Sequence, residues 1–75
     1  MNWRIVIRME DREDTFEIEA LKRYEAIVKA VSQFLTRYSL PGRPYHYIYG
    51  KNKNLMEIET KCEIDARVGG RVGYD

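Results

Sequence analysis

Residues 44–54 read PYHYIYGKNKN. Tyr45, Tyr47 and Tyr49 alternate with His46 and Ile48, and the polar run GKNKN follows. A period of two is the signature of a β-strand, on which all three tyrosines share one face. Gly, Asn and Lys then supply turn material. Alternation resumes in NLMEIETKCEIDA, residues 54–66. There Met56, Ile58, Thr60, Cys62 and Ile64 share one side, and Leu55, Glu57, Glu59, Lys61, Glu63 and Asp65 share the other. The spacing predicts an antiparallel hairpin, with strands near 44–50 and 55–65.

The register of that hairpin decides where the tyrosines point. A five-residue loop, Gly50 to Asn54, pairs Tyr49 with Leu55, Tyr47 with Glu57 and Tyr45 with Glu59. The rings then stand on the outer face, and Ile48 joins Met56 inside. A two-residue turn at Asn52-Lys53 shifts the pairing by one residue and turns the tyrosines onto the core. Burial of Ile48 favours the outer face, because His46 is easier to bury than three phenols that each need a partner.

The first half of the chain reads in the same way. WRIVIRM, residues 3–9, sets Trp3, Ile5, Ile7 and Met9 against Arg4, Val6 and Arg8. TFEIEA, residues 15–20, places Phe16 and Ile18 inward and Glu17 and Glu19 outward. The polar EDREDT run between them is a turn. From Leu21 to Tyr38 the period changes to 3.6, with a stripe of Leu21, Tyr24, Val28, Val31, Leu35 and Tyr38, widened by Ile27 and Phe34. Pro41-Gly42 ends the helix. The expected architecture is α+β in the order ββαββ: a four-stranded antiparallel sheet with one helix packed on one face. It forms a single domain over 1–66. The glycine-rich RVGGRVGYD, 67–75, reads as a flexible C-terminal tail.

Composition bounds the class of protein. Of the 75 residues, 44% are hydrophobic and 33% charged, which suits a small folded domain and not a disordered chain. No apolar run approaches the roughly 20 residues of a membrane span, and the first residues carry no secretory pattern. One cysteine precludes an internal disulfide and fits a reducing compartment, so the expectation is a cytoplasmic protein. Net charge is only +1, but its distribution is uneven. Residues 26–56 hold Lys29, Arg37, Arg43, Lys51 and Lys53 and no acid, whereas the flanks are each net acidic. That basic island contains the tyrosines. Five charges scattered around a fold are the plainer alternative.

Signals for chemistry are sparse. His46 is the only histidine, and no nucleophile or carboxylate is specified beside it. Cys62 has no Cys or His at ligand spacing and reads as a buried thiol. Glu59-Thr60-Lys61 matches half of a restriction-type nuclease motif, but an acid on the preceding strand is missing. Two Arg-Val-Gly repeats are a weak arginine-glycine signal. No phosphate loop or dinucleotide fingerprint occurs. The expectation is therefore a non-enzyme with no catalytic residues, no metal site and no cofactor.

Two binding functions remain. The preferred one is a small protein-binding module that covers a surface of a larger partner through Arg43, Tyr45, Tyr47, Tyr49, Lys51 and Lys53. In size and make-up this suits an inhibitor or adaptor of the kind phages and mobile elements make, anti-CRISPR proteins among them. The alternative is single-stranded nucleic-acid binding by the Tyr/Lys/Arg-rich segment 43–53. Five glutamates expected on the tyrosine face, Glu17, Glu19, Glu57, Glu59 and Glu63, weigh against it. A homodimer through the free sheet edge is a further option, and no membrane partner is expected.

Overall fold

A computed structural model describes residues 1–63. The elements run β1 (Asn2–Met9), β2 (Arg12–Glu19), α1 (Arg23–Arg37), α2 (Pro44–Ile48) and β3 (Glu57–Glu63). The strands form one antiparallel sheet in the order β2-β1-β3; α1 packs on it, and α2 packs against α1. The expected flexible tail at 67–75 lies outside the described residues.

The first hairpin forms as its periodicity requires. Trp3, Ile5, Ile7 and Met9 of β1 are all buried on the helix side. Their neighbours on β2 include Ile18, opposite Trp3, and Phe16, opposite Ile5. The strand β2 begins at Arg12, earlier than the expected position near 15, because Met9 pairs with Arg12 across a two-residue turn. Glu10 takes φ 57° there, in the left-handed region that tight hairpin turns require. The acidic start of β2 hides a strand because its outward positions are charged, as an open sheet face allows.

The expected fourth strand is absent among the described residues. Residues 44–48 form one turn of helix, so the order is ββααβ and the sheet has three strands. Three local features favour the helix. Pro44 stands at its first position, where the fixed φ of proline is already helical and its missing N–H is not needed. The Arg43 N–H donates to His46 Nδ1 at 3.5 Å. The amides of Tyr49 and Gly50 both donate to the Tyr45 carbonyl, at 2.9 and 3.0 Å. Gly50 is needed for this closure, because a Cβ there would lie 2.8 Å from His46 Cα. The last strand pairs with β1 instead, with Ile58 opposite Ile7 and Cys62 opposite Trp3.

The helix α1 is slightly shorter than the expected 21–38, and its buried face is centred differently. Ala26, Ala30, Val31, Phe34 and Leu35 are buried. Val28 and Ile58, both expected in the core, are half-buried. The two alanines let the helix backbone approach the sheet closely, a contribution that a stripe of large residues does not reveal. Leu21 and Tyr24, placed in the stripe by spacing, are exposed. A 15-residue helix is about 22 Å long, whereas three strand axes span only about 10 Å. Both ends of α1 therefore reach the sheet edges. Arg23 Nε donates to Thr60 Oγ1 of β3 at 2.8 Å, and Arg37 Nη1 pairs with Asp14 of β2 at 3.1 Å.

Candidate partner-binding surface

The structure separates the three tyrosines of the opening segment. On a helix, residues four apart share a side and the residue midway between them points elsewhere. Tyr45 and Tyr49 are accordingly exposed, at 58% and 56%, while Tyr47 is 3% exposed. The Tyr47 hydroxyl donates to the Pro41 carbonyl at 2.7 Å, which satisfies the one polar atom carried inward. The expectation of three tyrosines on one strand face is therefore corrected, and Tyr47 is a core residue.

A different third tyrosine completes the surface. Tyr24, in the first turn of α1, stacks on Tyr49 with ring centroids 5.8 Å apart and planes 22° apart. Tyr45 meets the same Tyr49 at 5.7 Å, tilted by 52°. Tyr24, Tyr49 and Tyr45 thus form a row across two helices, each ring about half exposed. Sequence spacing assigns Tyr24 to the core stripe. It is exposed because α1 overhangs the edge of a three-stranded sheet, where a fourth strand would have covered its first turn.

Arg43 precedes α2 directly, and Lys51 and Lys53 occupy the loop after it; all three are exposed. Among the described residues none of the three carries an ion pair. The loop is a chain of turns, with the Asn52 N–H bonded to the His46 carbonyl at 2.9 Å and the Lys53 N–H to the Gly50 carbonyl at 3.2 Å. His46 is half-buried and serves the start of α2 through Nδ1. Cys62 is buried, with its thiol 3.8 Å from Met1 Sδ. Among the described residues, no three His, Cys, Asp or Glu side chains converge as metal ligands would. No described helix is long and apolar enough to cross a membrane.

Charge divides by layer. The helical segment 21–56 holds seven basic residues and one acid, Glu25, which lies 3.9 Å from Lys29. The sheet segments 1–20 and 57–63 hold four basic residues and nine acids. On the open sheet face Arg8 sits among Glu13, Glu57 and Glu59, at 2.9, 3.9 and 3.3 Å. Its hydrogen bonds to Glu13 and Glu59 hold the guanidinium more firmly protonated than an ordinary arginine. Arg4 pairs with Glu17 on the same face at 3.1 Å. Glu17, Glu19, Glu57 and Glu59 are thus on the sheet, away from the tyrosine row. No protein-family model, curated protein or solved structure matches this chain.

Proposed function

We propose that the protein is a non-catalytic binding module that covers an acidic surface of a larger protein partner. The observation that supports this most is the row Tyr24, Tyr49, Tyr45, three half-exposed rings in contact on the basic layer. Tyrosine offers a large contact area for little loss of side-chain freedom and is enriched at binding hot spots. The rings are held by two helices and by each other, so little ordering is required on binding. Arg43, Lys51 and Lys53 supply the charge that speeds encounter and selects an acidic partner. Occlusion is the mode of action that such a surface suits, as an inhibitor or adaptor. A phage or mobile-element inhibitor of a host system is the setting that its small size suits.

Single-stranded nucleic acid is the second reading, favoured by one observation. Glu17, Glu19, Glu57 and Glu59, four of the glutamates that weighed against it, lie on the sheet, away from the tyrosines. It is less favoured because Tyr24 and Tyr49 stack on each other, offset, so that one face of each ring is partly taken by the other and less is left for bases. Replacing Tyr45 and Tyr49 together by serine tests the proposal. A protein partner captured by the wild type from its native host and then purified should bind the double variant roughly a hundredfold more weakly. Wild-type binding to oligo-dT that falls steeply with salt, with no protein partner, would support the nucleic-acid reading instead.

A further inference from the structure

We propose that the edge of β3 away from β1 accepts an extended acidic segment of the partner protein as an added strand. This rests on the protein-partner reading and names the form of the partner's contact. Among the described residues β3 pairs only with β1, and no described strand neighbours its other edge. Added strands gain main-chain hydrogen bonds from such an edge and side-chain specificity from its two faces.

A concavity of about 490 Å³ lies along this edge and is lined from both faces of the sheet. On the helix side it meets Ile58, Thr60 and Arg23; on the open side it meets Arg4, Glu59 and Lys61. The helix-side residues Ile58 and Thr60 are half-buried β-branched positions, which an added strand would cover. Arg23 and Lys61 are exposed cations on opposite faces, and neither is engaged in an ion pair among the described residues. The one acid in the concavity, Glu59, is already held by Arg8 at 3.3 Å. A segment with acidic side chains therefore meets a cation whichever way it faces.

The opposite edge makes the contrast. The strand β2 carries Glu13, Asp14, Glu17 and Glu19 against Arg12 alone, and repels the same segment. A second copy of this chain fits the β3 edge less well. Antiparallel pairing of two β3 strands about Thr60 brings both Arg23 guanidiniums to the symmetry axis on the helix side. The charged positions on β3 also guard against indiscriminate edge pairing, while admitting a strand of complementary charge. Arg23 and Tyr24 both stand in the first turn of α1, so the edge and the tyrosine row lie at the same end of that helix, and one partner can use both.

The test uses the full chain with an octapeptide of alternating valine and glutamate, followed by amide hydrogen exchange. Exchange in residues 57–63 should slow roughly tenfold at saturation, with residues 12–19 unchanged. An octapeptide of valine and lysine should have no effect. Arg23→Ala with Lys61→Ala should weaken binding of the acidic peptide roughly fivefold or more while leaving the sheet intact. No slowing in β3, equal slowing in β2, or equal binding of the lysine peptide would overturn the proposal. So would protection of β3 that grows with protein concentration and needs no peptide, because the occupant is then a second copy. The Tyr45→Ser/Tyr49→Ser protein separates the two claims. If it loses the captured partner but the peptide never protects β3, the strand proposal fails alone; if the peptide protects β3 and the variant keeps the partner, the tyrosine surface fails alone.

Discussion

Tyr47 donates its hydroxyl to the carbonyl of Pro41 at 2.7 Å, and this bond fixes one tyrosine of the 45–49 segment in the core. Tyr47 is 3% exposed, whereas its neighbours two positions away are more than half exposed. Two substitutions separate the ring from the hydroxyl. Tyr47→Ala should lower stability by about 3–5 kcal/mol, as aromatic truncations in cores do. Tyr47→Phe keeps the ring and should lose only about 1 kcal/mol, the net worth of the hydrogen bond plus the unpaired carbonyl. Urea unfolding measures both. A Tyr47→Ala protein as stable as the wild type would place this ring on the surface instead.

Gly50 offers an independent check on the short helix. A Cβ at this position would lie 2.8 Å from His46 Cα and 3.2 Å from its carbonyl oxygen, both backbone atoms that cannot move aside cheaply. Gly50→Ala should therefore destabilise by about 1–3 kcal/mol, in the range of overpacking. A strand over 44–50 contains no such approach, and there the substitution should be nearly neutral or slightly stabilising. Thermal denaturation of the single variant distinguishes the two.

The segment 44–54 misleads as a sequence for a physical reason. Three tyrosines at spacing two satisfy a strand, and the first and third, four apart, equally satisfy one face of a helical turn. Pro44 and Gly50 are the local signals for the helix. The pairing of β3 with β1 is set by contacts 49 to 61 residues apart, which no turn motif announces. By contrast, the alternation in β1 and the 3.6-residue period of α1 are legible because each buries one regular face. Arg43, Tyr45, Tyr49, Lys51 and Lys53 stand out in the sequence as an aromatic, acid-free stretch. Tyr24 does not, because its spacing matches the core stripe and only the narrow sheet leaves it exposed.

The far end of α1 yields a pH dependence. The Tyr38 hydroxyl is pushed above its ordinary pKa, first by hydrogen bonding toward Asp14, then by partial burial and by that carboxylate's charge. Asp14 Oδ2 is buried and has no hydrogen-bond partner of standard geometry, while Oδ1 of the same carboxylate pairs with Arg37 at 3.1 Å. A raised folded-state value means the neutral phenol is favoured by the fold. This contribution is fully present below the ordinary tyrosine value of about 10 and is lost as pH rises through the higher folded value. The stability difference between wild type and Tyr38→Phe should thus shrink above about pH 10. Urea titrations of both proteins at stepped pH test this; a gap that widens with alkali would contradict the assignment.

The most direct measurement of the central claim is the affinity of the Tyr45→Ser/Tyr49→Ser protein for the purified partner, taken together with its thermal midpoint. Both rings are more than half exposed and their contacts are with each other and with Tyr24, so the midpoint should stay within a few degrees of the wild type. Binding should fall roughly a hundredfold, as loss of two hot-spot tyrosines implies. A folded double variant that binds the partner as tightly as the wild type would show that the tyrosine row is not the contact surface.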